Sequence, residues 1–318
     1  MKATVWHGRR DVRVDEVADP AIKEPTDAIV RVTSTGLCGS DLHLYEPLAP
    51  FMTGGDIMGH EPMGIVEEVG PGVTDLRPGD RVVIPFQIAC GACFMCAQGL
   101  QTQCDATQIR EHGMGAALFG YTKLYGQVLG GQAEYLPVPH ADYGPIKVPE
   151  GPADDRFLYL SDVLPTAWQA VEYAGVGAGD TLVVLGAGPI GNMASRVAVH
   201  RGIRTITVDL VAERLTRVAN AGAEPVDLDG VMKRDLGDHI REMTGGRGPD
   251  AVVDAEGMEA HGSPGMKEIH KLVGLLADAV AEPMMNTAGM DRMAALYSAF
   301  DIVRRGGTVS ERRVRGDG

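Results

Sequence analysis

Long apolar runs are missing from this chain of 318 residues. No stretch of about 18 consecutive apolar residues occurs, so no transmembrane helix is expected. Basic charge is also short: Lys and Arg total 29 against 43 Asp and Glu, a net charge of −14, which disfavours nucleic acid and anionic membrane surfaces as partners. The N-terminus has no charged segment leading into an apolar one. Met1-Lys2-Ala3-Thr4-Val5-Trp6 instead begins an alternating strand, so no signal peptide is read and a soluble cytoplasmic protein is the expectation. Cysteine is scarce and uneven. Of the five, Cys38 stands alone, while Cys90, Cys93, Cys96 and Cys104 crowd into one short segment. An odd count with this crowding argues against a disulfide framework and for metal ligation in a reducing compartment.

Up to about residue 150 the sequence reads as short alternating strands broken by Gly and Pro, with examples at Ala28–Thr33, Gly64–Val69 and Asp80–Pro85. This pattern predicts an all-β domain built as a small barrel. A proline-rich run from Pro137 to Pro152 leads into a helical pattern over roughly Asp155 to Gly175, which places a domain boundary near residue 155, with domains 1–155 and 156–318. The period then changes. Strands at Thr181–Leu185, Thr205–Val208 and Asp250–Val253 alternate with helices at Ile190–His200 and Leu210–Ala221, the signature of βαβ units and a parallel sheet. Met258 to about Asp291 reads as an insertion holding one or two helices. Met293–Val303 is expected to be helical, and Gly307-Thr308-Val309-Ser310 begins a further strand.

Gly186-Ala187-Gly188-Pro189-Ile190-Gly191 directly follows one of these strands and opens a helix. A GxGxxG alone is weak evidence, but the context gives each glycine a task. Gly186 permits the tight turn, Gly188 admits a pyrophosphate close to the backbone, and Gly191 lets the helix pack on the strand. Pro189 suits the first helical turn, and the free N–H groups there suit phosphates. Asp209 ends the next strand at the separation expected for a carboxylate that binds ribose hydroxyls and repels a 2′-phosphate, which favours NAD over NADP. Arg214 is a candidate for the same ribose. The competing interpretation is a glycine turn in a cofactor-free α/β protein, with Asp209 a solvated strand end.

Cys90-x2-Cys93-x2-Cys96-x7-Cys104 offers four thiolates on one loop, the donor set of a closed structural zinc site. A second constellation is dispersed over Gly36-Leu37-Cys38-Gly39-Ser40-Asp41-Leu42-His43 and Gly59-His60-Glu61. Cys38 and His60 are candidate ligands of a catalytic zinc, which needs three protein ligands and one open place. With the other four cysteines committed, a carboxylate has to serve as the third.

Taken together, these segments resemble the zinc-containing medium-chain alcohol dehydrogenases, over roughly residues 1–310. The resemblance implies an α/β protein with an N-terminal GroES-like β-barrel and a Rossmann doubly wound parallel sheet. Within the family, Ser161-Asp162-Val163-Leu164-Pro165-Thr166 is similar to the segment of formaldehyde-dehydrogenase-like members, where an Asp replaces a zinc-ligating Cys. That likeness assigns Asp162 as the third ligand, against the plainer possibility of a helix cap. It further implies that Glu61 lies beside the zinc and that Asp41 hydrogen-bonds the His60 ring. Ser40 would pass the alcohol proton toward His43, and Thr166 and Ile190 would line the nicotinamide. Zinc would act as a Lewis acid on a small alcohol or aldehyde, with NAD as hydride carrier, in a cleft between the domains. Two zinc ions and one NAD per chain are the expected cofactors.

The sequence departs from the family after Gly306-Gly307-Thr308-Val309-Ser310. Relatives run on to complete the sheet and return to the first domain, whereas here Glu311-Arg312-Arg313-Val314-Arg315-Gly316-Asp317-Gly318 follows. Arg-rich residues do not continue a buried parallel strand, so the end of the sheet is expected to be missing, and the homo-oligomer usual in the family is in doubt. The alternative function is an inactive remnant that binds zinc and NAD without turnover.

Overall fold

In the computed structural model, residues 1–231, 236–256 and 294–311 are described. The segment expected to be an insertion, 258–291, lies outside them. The chain forms two compact units, Met1–Asp162 and a second that starts at Val163.

The first unit is built on an antiparallel five-stranded sheet in the order β6-β3-β4-β5-β7. Its strands are β3 (Ala28–Thr35), β4 (Pro62–Val69), β5 (Arg81–Val83), β6 (Tyr135–Val138) and β7 (Ile146–Lys147). A separate hairpin, β1 (Lys2–Gly8) with β2 (Asp11–Glu16), is tied on by single bridges from Ala3 to Ala133 and from Val5 to Ile57. Alternation along β3 and β4 sends Val30 and Val66 inward to meet Val82, Ile84, Phe119 and Leu136. Three features then frame the site. Helix α1 (Gly39–Tyr45) follows Cys38, the short helix α2 (Phe94–Ala97) sits in the cysteine loop, and a 3-10 turn at Leu158–Ser161 leads to Asp162.

The second unit is a parallel sheet in the order β10-β9-β8-β11-β12. The strands are β8 (Thr181–Leu185), β9 (Arg204–Asp209), β10 (Glu224–Asp227), β11 (Ala251–Asp254) and β12 (Thr308–Glu311). Every residue of β8 and β11 is buried, as parallel strands covered on both faces require. Leu182, Val184, Ala251 and Val253 face α3 (Val163–Ala174) and α4 (Pro189–His200). Val183, Leu185 and Val252 face the opposite way, toward Ile240, Ala299 and Ile302. Chain order reverses between β8 and β11, and that switch point is where open α/β sheets bind ligands, outside the carboxyl ends of the strands. Helix α5 (Ala212–Asn220) follows β9. Among the described residues, no helix is long and apolar enough to cross a membrane.

Two expectations need correction. The helix expected from Asp155 begins only at Val163. The preceding residues form 3-10 turns at Asp154–Arg156 and Leu158–Ser161, because Asp154 is drawn to the first unit by Thr33 (2.6 Å), Ser34 (2.8 Å) and Arg81. The strand expected over Asp80–Pro85 is confined to Arg81–Val83. Asp80 belongs to the preceding turn, where its N–H bonds the Arg77 carbonyl, and Pro85 lacks the N–H a ladder needs.

Candidate functional site

Cys38, His60, Glu61 and Asp162 converge in the first unit. All four are buried, and one donor atom from each lies within 4.8 Å of every other. Asp162 Oδ2 stands 3.5 Å from His60 Nε2 and 4.0 Å from Cys38 Sγ. Donors bound about 2.0–2.3 Å from one tetrahedral zinc are about 3.3–3.8 Å apart, so the spacing fits a shared ion with little movement. The local chain explains the placement. Cys38 caps α1, and Asp41 folds back so that its Oδ2 accepts the Cys38 N–H at 2.9 Å. Gly59 precedes His60 with φ of +99°, and a side chain at Gly59 would collide with Gln132.

Electrostatics also ask for a cation here. Burial, reinforced by the charge of Asp162, raises the Glu61 carboxyl. Burial likewise raises Asp41, and only the His60 ring pulls against it as a charge. Burial works against protonation of His60, yet Asp162, Cys38 and Asp41 together raise it well above the usual imidazole value. Among the described residues, Glu61 Oε1, His60 Nδ1 and Asp41 Oδ1 are buried without a hydrogen-bond partner. Such groups are costly unless something satisfies them, and a divalent ion among thiolate, imidazole and carboxylate donors does so. The expected bond from Asp41 to the His60 ring is not closed: Asp41 Oδ1 is 3.6 Å from Nδ1, beyond hydrogen-bonding range. One Asp41 oxygen is committed to capping α1, which limits how far the other can advance.

The four-cysteine loop forms a second cluster, again with all donors within 4.8 Å. Backbone N–H groups point at its sulfurs: Cys90 to Cys104 Sγ (3.4 Å), Cys93 to Cys90 Sγ (3.4 Å), Cys96 to Cys93 Sγ (3.5 Å) and Asp105 to Cys93 Sγ (3.4 Å). Such bonds favour thiolates. Although burial pushes the Cys104 thiol up, the N–H groups of Cys90, Thr107 and Ala106 bring it down to about 6. Burial instead drives Cys96 up to about 12. Four sulfurs converging in this way match the donor set of a closed structural zinc site.

In the second unit the glycine turn has the form its sequence predicts. Gly186 has φ of +88°, and a side chain at Gly191 would strike the Gly186 carbonyl. At Gly188, the residue before α4, an added Cβ would meet nothing within 4 Å, and no side chain caps the helix. That leaves room beside the start of α4, and helix-start N–H groups suit a phosphate. Asp209 closes the turn from beside it, accepting N–H groups of Ala187 at 2.6 Å and Val211 at 2.7 Å, with Arg214 Nη1 at 3.7 Å.

Residues 24–150 match the family described as the alcohol dehydrogenase GroES-like domain, and residues 189–264 match the zinc-binding dehydrogenase family. A zinc-type alcohol dehydrogenase-like protein, AdhB of Bacillus subtilis, is 42% identical over 313 residues, covering 97% of this chain and 78% of that protein. The chain belongs to the zinc-type alcohol dehydrogenases. A glutathione-independent formaldehyde dehydrogenase from Pseudomonas aeruginosa is 34% identical, over 92% of this chain and 73% of that one. The solved alcohol dehydrogenase TADH from Thermus sp. ATN1 superposes with a TM-score of 0.78 at 33% identity, covering 99% of this chain and 78% of that one. Membership in the zinc-type alcohol dehydrogenases is shown at the level of the whole family, not of the formaldehyde branch.

The remaining expected residues fall in three places. Ser40, half-buried on α1, has its Oγ 3.8 Å from Cys38 Sγ, and His43 lies one turn along the same helix. Thr166 is buried in α3, and Ile190 is part-buried in the first turn of α4. One residue carried no sequence signal. Tyr121, only 5% exposed, sets its ring edge-on to His60, with centroids 6.0 Å apart and planes at 83°, and it stacks in the same way on Tyr125. It is far from His60 in sequence, and a lone Tyr in a loop gives no hint of such a contact.

Proposed function

We propose that this zinc-type dehydrogenase oxidises a small primary alcohol or aldehyde of the formaldehyde kind, with NAD as hydride acceptor. The observation that carries this reading is the meeting of Asp162 with Cys38 and His60, which supplies three different donors around one point. Zinc held there would supply Lewis acidity toward the substrate oxygen. The likeness to a formaldehyde dehydrogenase supports the substrate class.

The chain's own residues have distinct tasks in this reading. Cys38, His60 and Asp162 would hold the ion, and Glu61, inside the same cluster, would serve as a transient ligand. Ser40 takes the hydroxyl proton, and His43 on the same helix face gives it a route onward. NAD, when bound, would supply the hydride acceptor, so that an alcohol would give the aldehyde, and a hydrated aldehyde the acid, with reduced cofactor and one proton. The turn at Gly186, Gly188 and Gly191 binds the pyrophosphate, Asp209 and Arg214 take the adenosine ribose, and Thr166 and Ile190 line the nicotinamide. The second ion, held by Cys90, Cys93, Cys96 and Cys104, stabilises the fold.

The test is a zinc count on the purified chain together with NADH formation across short alcohols and hydrated aldehydes. About two zinc ions per chain with NADH formation supports the reading. Full zinc with no turnover across the panel would leave a binding protein instead.

A further inference from the structure

The crevice at the sheet's switch point has two walls. One is the glycine turn after β8. The other is the end of β11, which continues as Ala255 and Glu256. Glu256 is half-buried against the first glycine: its Cγ lies 3.2 Å from where a side chain at Gly186 would begin.

Three carboxyls meet here, and they are not equivalent. Asp209 accepts two backbone N–H groups, from Ala187 and Val211. Asp254, 2% exposed, accepts the Glu256 N–H at 3.0 Å. Among the described residues, none donates a hydrogen bond to the Glu256 carboxyl. Among the described residues, the charges that raise it are Asp254 from β11 and Asp209 from β9. The glycine turn and first turn of α4, Gly186 to Met193, carry no charged residue, and Arg214 on α5 is directed at Asp209. A pyrophosphate entering this crevice brings two negative charges beside three carboxyls. The strain is relieved if one carboxyl is neutral, and a neutral carboxyl also offers an O–H donor to a phosphate oxygen.

We propose that Glu256 makes dinucleotide binding proton-linked, its protonated carboxyl admitting the pyrophosphate and its ionised form repelling it. This rests on the reading of the glycine turn as the NAD site. Burial, with the charges of Asp254 and Asp209, raises the Glu256 carboxyl to about 7, so both forms are present near neutrality. Binding then takes up a proton. Affinity is highest below neutral pH and falls by up to about ten-fold per pH unit above it.

The test uses the zinc-loaded full chain and measures NADH dissociation constants by fluorescence between about pH 6 and about pH 8.5, where linkage predicts a loss of more than about ten-fold. In Glu256→Gln the profile should be nearly flat and the affinity at high pH close to that of the native chain at low pH. ADP-ribose, which keeps the pyrophosphate and lacks the nicotinamide, should show the same contrast. Calorimetry of the native chain in two buffers of different ionisation enthalpy should show proton uptake at alkaline pH, an outcome independent of any variant. Identical pH profiles in both proteins, or no proton uptake by the native chain, would overturn the inference while leaving NAD binding intact. No NADH binding at any pH in either protein would remove the dinucleotide site and the inference together.

Discussion

Asp162 Oδ2 lies 3.5 Å from His60 Nε2, joining a residue that ends the first unit to one on the loop before β4. If the two share an ion with Cys38, Asp162→Ala should bring zinc from about two per chain to about one. Loss of even an outer partner of a metal ligand costs roughly 10–100-fold in affinity or activity, so turnover should fall by at least that much. Metal analysis and NADH formation read both effects. Unchanged zinc content in the variant would remove Asp162 from the ligand set.

The cysteine loop calls for the opposite pattern. Cys104 is fully buried, and Cys104→Ser removes one of four sulfurs from a closed set. We expect loss of about one zinc and of about 3 kcal/mol, which for domains of this size lowers Tm by roughly 6–12 °C. Turnover per zinc remaining at the Cys38 centre should change little at low temperature. Normal Tm with normal zinc in this variant would show that the loop is not a structural site.

If Asp209 takes the adenosine ribose as proposed, it sets the choice between NAD and NADP. The native chain should prefer NAD, because the carboxylate repels a 2′-phosphate. Asp209→Asn removes the charge and keeps an oxygen for the Ala187 N–H. The ratio of kcat/KM for NAD over NADP should fall by about ten-fold or more, equivalent to about 1.4 kcal/mol. A native preference for NADP would contradict the assignment.

Asp250 should contribute to the loss of stability in acid. Burial pushes its carboxyl up, but the Thr181 N–H at 2.9 Å, Arg304 at 2.7 Å and Arg247 at 3.3 Å outweigh burial and set it below the usual value. The unfolded chain therefore binds this proton more readily than the folded one. The stabilisation is complete above the unfolded value of about 3.9 and is lost as pH falls through the lower folded value. Asp250→Asn should cost about 1.5–3 kcal/mol at pH 7 in urea unfolding, and the gap should close as pH falls through the lowered folded value. A gap that persists there would mean that packing, not charge, is what Asp250 contributes.

How much of this was legible in the sequence depends on the range of the forces involved. Strand β8 coincides with its expected span, Thr181–Leu185, because a fully buried parallel strand is an apolar run flanked by Asp180 and Gly186. The glycine turn was legible for the same local reason. The 3-10 turns before Asp162 were not, since Asp154 is pinned by Thr33, Ser34 and Arg81, residues distant in sequence. Asp162 itself was reached by the shortage of cysteines and by resemblance. The Asp41–His60 gap and the Tyr121 contact depend on how loops close in space, and no residue pattern encodes them. Glu256 carries no signal in the sequence, because an acid after a strand is ordinary until its neighbours are known.

Cys38 and Asp162 are separated by 124 positions along the chain. A divalent ion gripped by both would act as a reversible crosslink around nearly the whole first unit, and the entropy removed from the unfolded chain grows with the length of such a ring. Zinc supply would then set the folding equilibrium of that unit as well as its chemistry, and a chelator would loosen its far end before it touched the parallel sheet.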